Sequence, residues 1–88
     1  MEISFSSSFR KSFKKRILGK NHIENTFWEM VLAFIKNPFD HRLKTHKLQG
    51  KLKDLWSFSI DYDLRVIFYF TEDDKSVFVD IGKHDEVY

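Results

Sequence analysis

Histidines and basic side chains are the residues of this sequence whose types and spacing suit acid–base chemistry on an anion. His41 and His46 alternate with Arg and Lys within residues 39–53, and His84 follows near the end of the chain. Because histidine titrates near neutral pH, one histidine can accept a proton while another donates one. Two histidines and an arginine, whose charge is permanent, therefore suffice in principle for acid–base catalysis at a phosphate ester without a metal.

The composition narrows the possible chemistry and the compartment. The 88 residues include no cysteine, which excludes disulfides, thiolate zinc sites and cysteine nucleophiles, and fits a reducing compartment. The acidic run 72–74 most simply keeps a turn solvated, so we expect neither a metal nor a cofactor. The sequence shows neither a signal peptide nor a run that could span a bilayer. We therefore expect a single domain, residues 1–88, in the cytoplasm.

The charge is unevenly distributed along the chain. Residues 1–53 contain twelve Lys/Arg against four Asp/Glu, whereas residues 54–88 contain three against nine. This asymmetry indicates one surface that meets a polyanion and another that does not. The alternative, that the helices simply carry solvated basic side chains, stays open on charge alone.

The first half of the chain predicts a strand followed by two helices. Apolar and polar residues alternate over residues 2–6, which is typical of a strand. Apolar residues at every fourth position from Phe9 to Ile17 predict an amphipathic helix, basic outside, capped by the preceding serines and ended near Gly19. A second apolar stripe predicts a helix from about Asn21 to the stop at Pro38.

The second half predicts an antiparallel sheet. Residues 39–53 are basic and irregular, so we expect an extended loop there. Alternating segments then predict three strands, starting near Leu55, Leu64 and Ser76, the last of them closed by Gly82. The predicted order is β-α-α-β-β-β. The fold class is therefore α+β, a largely antiparallel sheet with a helical hairpin packed on one face.

Four motifs, in this order, carry a resemblance to a known family. They are His46-Lys-Leu-Gln-Gly50 before a strand, Trp56-Ser57 within it, Leu64-Arg-Val-Ile-Phe68 in the next strand, and Gly82-Lys-His84 followed by Val87-Tyr88. Together with the order of elements, they resemble the RelE/ParE toxin superfamily over essentially the whole chain. The C-terminal half looks most like the YafQ and YoeB branches, ribonucleases that act on messenger RNA, typically in the ribosomal A site.

The resemblance implies a RelE-like toxin of a type II toxin–antitoxin system, a metal-independent and ribosome-dependent endoribonuclease that leaves a 2′,3′-cyclic phosphate. It places His46 at the general-base position, Arg65 at a retained arginine and His84 at a histidine near the C-terminus. Asp63 and Tyr88 match an acidic turn residue and a terminal aromatic. Which histidine is base and which is acid stays open.

Simpler structural explanations stand beside these roles. A histidine of a small basic domain is often only a surface residue, Arg65 could pair with Asp61 or Asp63 across a turn, and an Asp in a tight turn needs no catalytic reason. Tyr88 could be an ordinary frayed end. Ser59 and Phe58 depart from the family pattern, which leaves open a copy that retains the fold without the activity.

The expected partners are the ribosome, messenger RNA and a cognate antitoxin that is locally acidic or amphipathic. We expect no membrane contact and no direct reading of DNA by this chain. Two alternatives are a ParE-like gyrase poison and a non-catalytic nucleic-acid-binding domain. The predicted RNA and ribosome contacts are Lys11, Lys14, Lys15, Arg42, Lys44, Lys47, Lys51, Lys53 and Lys83.

Overall fold

A computed structural model describes residues 1–52 and 54–83 of the protein. These residues form strand β1 (Glu2–Phe5), helices α1 (Ser7–Arg16) and α2 (Asn21–Lys36), and strands β2 (His46–Lys47), β3 (Trp56–Ser59), β4 (Leu64–Phe70) and β5 (Lys75–Lys83). Two 3₁₀ turns, His41–Leu43 and Gly50–Leu52, flank β2. The described helices include none long and apolar enough to cross a bilayer.

The five strands make one mixed sheet in the order β1-β5-β4-β3-β2. β1 runs parallel to β5, while β5, β4, β3 and β2 pair antiparallel with their neighbours. The predicted α+β class, with two helices packed on a largely antiparallel sheet, is therefore confirmed. Gly19, at a φ of 80°, adopts the left-handed conformation in the turn between the helices, close to the predicted end of the first helix.

Two details of the predicted topology were wrong. Residues 39–53 were expected to be an extended loop, but they contain both 3₁₀ turns and β2. Two residues are too few to show an alternation, so β2 has no pattern to detect. Gly82 was expected to close the last strand, yet β5 continues to Lys83, with Gly82 paired to Arg65 inside it. A glycine can adopt the extended conformation of a strand, so its presence does not by itself mark the end of one.

A β-bulge at Val79 determines which way the second half of β5 faces. Ile67 pairs with Asp80 whereas the next residue, Phe68, pairs with Phe78, so Val79 is an extra residue in β5. Strict alternation would put Asp80 on the same face as Phe78, in the core. The bulge instead turns Asp80 to the opposite face and brings Ile81 into the core.

Helix α2 and the sheet meet through stacked and edge-on aromatic rings. The ring centroid of Phe34 lies 5.0 Å from that of Phe58, 5.0 Å from that of Phe68 and 5.4 Å from that of Phe78. Helix α1 adds Phe9, whose ring meets Phe78 edge-on at 5.6 Å. All five rings are buried, and such pairs contribute beyond their area. This contact leaves the other face of the sheet available for a site.

The first turn of α1 is attached to the bulge. The Ser6 hydroxyl oxygen caps the helix by accepting from the Phe9 backbone N–H at 3.0 Å. Ser6 and Ser8 both donate to the Val79 carbonyl, at 3.2 and 2.6 Å. β1 pairs with β5 only as far as Phe78, so α1 takes over the β5 edge where β1 stops.

We predict that Ser6→Ala lowers the free energy of unfolding by about 1 kcal/mol, because it removes the N-cap and one hydrogen bond to the bulge. Ser7→Ala is the matched control, since the exposed Ser7 side chain makes no hydrogen bond within residues 1–52 and 54–83. It should change stability by less than about 0.5 kcal/mol. Urea denaturation measures both. Equal midpoints for the two variants would contradict the capping role.

Candidate active site

Two of the predicted catalytic residues lie on the sheet face opposite the aromatic core, here the open face, where His46 is exposed but Ser57 and Ile67 are buried. Residues directly opposite in antiparallel strands share a face. One cross-strand row on this open face contains His46, Ser57, Ile67 and Asp80, and the next contains Ser59, Arg65 and Gly82. His46 and Arg65 are therefore two strands and one row apart, about 12 Å between Cα atoms.

The loop before β2 orients the His46 ring. The first 3₁₀ turn ends at Lys44, which adopts a left-handed conformation at a φ of 51°. The Lys44 carbonyl lies 2.9 Å from His46 Nδ1. A carbonyl can only accept, so Nδ1 is the donor of this hydrogen bond. A proton transfer by this ring would therefore run through Nε2.

An ion pair at the start of the same turn holds the loop. The Asp40 carboxylate accepts from the Arg42 backbone N–H at 3.0 Å and from two guanidinium nitrogens, each at 3.1 Å. The hydrogen bonds from the Arg42 side chain lower the pKa of Asp40 from 3.8 to about 2, and the Arg42 pKa rises in return. Arg42 stays a predicted RNA contact, but in this structure its guanidinium neutralises Asp40.

Arg65 is tied to the turn between β3 and β4. Its Nη1 donates to the backbone carbonyl of Asp61 at 2.8 Å and of Tyr62 at 3.4 Å. The Asp61 carboxylate instead accepts from the backbone N–H groups of Asp63 and Leu64, at 2.9 and 2.8 Å. The alternative role of Arg65, a structural contact with Asp61 or Asp63 across the turn, is thus supported in part: Arg65 contacts Asp61 through the backbone carbonyl. The exposed Asp63 side chain lies in the same turn.

A cleft of about 540 Å³ lies between α1 and the open face of the sheet. Lys15 and Arg16 line it from the helix, and Asp80 lines it from β5. Leu52, Leu55 and Ile67 supply apolar surface. Of these residues, only Lys15 was among the predicted contacts. The spacing of four from Ser8 to Ser12 to Arg16 could have revealed the helix side of the cleft, whereas Asp80 enters it only because of the bulge.

A second cleft, of about 510 Å³, lies beside the β3–β4 turn. Basic residues of the helices meet acidic residues of the turn there, with Arg16 shared between both clefts. Among the predicted site residues, Asp63 and Lys83 line this second cleft. The structure therefore separates Asp63 from the cleft that contains Lys15.

The other predicted contacts are spread over the surface. Lys11, Lys14, Lys44, Lys47 and Lys51 are all exposed. Lys14 lines a third, apolar groove with Phe13 and Trp28 between the two helices, away from the open face. The five exposed lysines lie on α1, in the loop before β2, in β2 and in the second 3₁₀ turn. Lys53, His84 and Tyr88 lie outside the residues that the structure describes.

The chain resembles known proteins in sequence and in fold. Residues 1–88 match the family model described as bacterial toxin of type II toxin-antitoxin system, YafQ. The chain is similar to a metal-bound toxin from Helicobacter pylori, with 26% identity and a TM-score of 0.73, over 100% of this chain and 99% of that one. No curated protein matches it in sequence.

Two further structures share the fold. YafQ from E. coli strain BL21(DE3) is 22% identical, with a TM-score of 0.73 over 99% of this chain and 97% of that chain. The E. coli DinJ-YafQ complex gives 21% identity and a TM-score of 0.70 over 99% of this chain and 97% of that one. At these identities, the likeness supports the arrangement of strands and helices.

We predict that Arg42→Ala returns the pKa of Asp40 from about 2 toward its ordinary value of about 3.9. The pKa of Asp40 is lower in the folded chain than in the unfolded chain. The pair therefore stabilises the fold when the pH is above the ordinary pKa, and this stabilisation is lost as the pH falls toward the folded pKa. NMR titration of the Asp40 carboxyl carbon measures the change. Arg10→Ala, on the exposed surface of α1, is the control. Equal titration midpoints of Asp40 in the two variants would refute the pairing.

Proposed function

The chain belongs to the YafQ family of bacterial type II toxin–antitoxin toxins, and on this basis we propose that it is an endoribonuclease that cuts messenger RNA on the ribosome. The single observation that carries the proposal is the arrangement of His46. Its Nδ1 proton is held by the Lys44 carbonyl, and it shares the open face with Arg65. A neutral imidazole and a fixed cation on one face suit phosphate ester cleavage.

The proposed reaction needs no group beyond side chains and the RNA itself. His46 Nε2 takes the proton of a ribose 2′-hydroxyl, whose oxygen attacks the adjacent phosphorus. Arg65 stabilises the crowded phosphorane through its permanent charge and planar set of donors. The bond from phosphorus to the 5′-oxygen breaks, and an acid protonates that oxygen. The products are a 2′,3′-cyclic phosphate and a 5′-hydroxyl.

The acid and the terminal aromatic of this proposal come from the family resemblance. His84 is the proposed acid, which protonates the leaving 5′-oxygen, and Tyr88 is proposed to stack on a base. Asp63 keeps a supporting role in the turn that holds Arg65. His84 follows Lys83 directly along the chain and Tyr88 lies four residues further on, while Gly82, within β5, pairs with Arg65.

The ribosome supplies what so small a site lacks. It would hold the message in the geometry of attack, which can account for a large part of the barrier. The exposed lysines, with Arg16, would contact phosphates of ribosomal and messenger RNA. Within residues 1–52 and 54–83, no three His, Cys, Asp or Glu side chains group as a metal site.

A cognate antitoxin is the proposed protein partner, since a solved relative is the DinJ-YafQ complex from E. coli. The antitoxin would cover the basic surface with an acidic or amphipathic segment and silence the toxin. The toxin would act in the cytoplasm, where ribosomes meet messages. The chain itself would not read DNA.

We predict that His46→Ala lowers the rate of message cleavage about 10²–10⁴-fold, because it removes the proposed base. His41→Ala is the matched control. His41 lies in the same loop, its side chain is 94% exposed, and its ring faces only Asp40, at 3.8 Å, among the residues described. Primer extension on a message translated in a reconstituted system measures both variants.

The same assay discriminates the alternatives. Discrete cuts that persist in His41→Ala and vanish in His46→Ala support the ribonuclease. Cuts retained by His46→Ala contradict its role as base. Intact message and unimpaired translation with the wild-type chain contradict the ribonuclease, and would favour a gyrase poison or a non-catalytic RNA-binding protein.

A further inference from the structure

Asp80 is a carboxylate in a cleft whose other charged residues are basic. It is exposed on the open face, where the bulge places it, and it faces Lys15 and Arg16 across the cleft between α1 and β5. A carboxylate repels phosphate, so the backbone of a bound RNA is excluded from the immediate surroundings of Asp80. Lys15 and Arg16, at the helix side, are the groups that attract phosphate.

The hydrogen bonds of Asp80 fix one carboxylate oxygen and leave the other for a ligand. Oδ1 accepts from the Ser12 hydroxyl and, at 2.8 Å, from the Ile81 backbone N–H. Within residues 1–52 and 54–83, Oδ2 has no hydrogen-bond donor. Asp80 therefore presents a single oriented acceptor to the cleft.

The surroundings of that acceptor are apolar. Ile67 is the cross-strand neighbour of Asp80, and Leu52 and Leu55 line the same cleft. Leu52 is 41% exposed, which is a large apolar surface for a ligand to cover. Apolar walls with one fixed polar group suit a flat nucleobase, which packs by its faces and is read at its edge.

We propose that this cleft receives one nucleobase of the RNA and that Asp80 Oδ2 accepts a hydrogen bond from its exocyclic amino group. Adenine, cytosine and guanine each carry an exocyclic amino group on the Watson–Crick edge, whereas uracil carries none and presents two carbonyl oxygens, which a carboxylate repels, beside its N3–H. Asp80 is then a specificity-determining residue, and Ser12 is a positioning residue for it. This inference deepens the proposed function and rests on it.

The first test measures binding without cleavage. The wild-type chain is titrated with each of the four ribonucleoside 5′-monophosphates while the backbone amide resonances of Ser12, Ile67 and Asp80 are followed by NMR. AMP, CMP and GMP should bind about 5- to 150-fold more tightly than UMP. Equal affinities, or shifts confined to other parts of the chain, would overturn the proposal even if the protein is an active ribonuclease.

The second test measures cleavage of messages that differ at one position by A, C, G or U. The wild-type chain should cut the A, C and G messages faster than the U message by the same factor. Asp80→Asn should bring the rates close together, because an amide can donate as well as accept. Asp73→Asn, in the exposed β4–β5 turn, is the matched control and should keep the wild-type ratio.

Ser12 provides a check on positioning. Ser12→Ala should reduce the ratio of the rates, and Ser12→Thr, which keeps the hydroxyl, should restore it. A ratio that survives in Asp80→Asn would overturn the proposal while leaving the ribonuclease intact. If the wild-type chain cuts no message, the ribonuclease fails, and the nucleotide titration decides by itself whether Asp80 recognises a base.

Discussion

The extra residue at Val79 is the constraint on which the rest of the structure depends. β5 is flanked by β4 on one side, and by β1 and then α1 on the other. With the bulge, Phe78 and Ile81 both reach the core, and Asp80 and Gly82 both reach the open face. The hydroxyls of Ser6 and Ser8, at the start of α1, stabilise the bulge by donating hydrogen bonds to the Val79 carbonyl. One inserted residue thereby fixes the core, the helix and the floor of the cleft together.

Charges that are segregated along the sequence are mixed in space. The first 53 residues are strongly basic and the remainder acidic, yet both clefts combine basic residues of the helical half with acidic residues of the sheet half. Asp80 faces Lys15, and Asp63 shares a cleft with Lys20. The electrostatic potential that RNA would meet therefore changes sign within each cleft. Such a potential favours one orientation of a bound strand in addition to attracting it.

The sequence predicted the helices and strands whose apolar residues follow a recognisable pattern, and missed the features that depend on how the strands pair. The apolar stripe of α2 and the alternation in β4 are long enough to be detected, and both lie where the pattern indicated. β2 is too short, and the bulge arises from the register between strands, which one sequence does not display. For the candidate site, the family resemblance supplied His46 and Arg65, but the sequence displayed neither the Lys44 carbonyl that contacts the His46 ring nor the face on which Asp80 lies.

The pairing of β1 with β5 has a consequence for synthesis. The strand made first hydrogen-bonds to the strand made last, and the hydroxyls of Ser6 and Ser8 reach a carbonyl more than seventy residues later in the chain. Contacts so distant in sequence form late and slow folding. The sheet cannot close until β5 has left the exit tunnel, so β1 waits without its partner while the helices and the other strands are made.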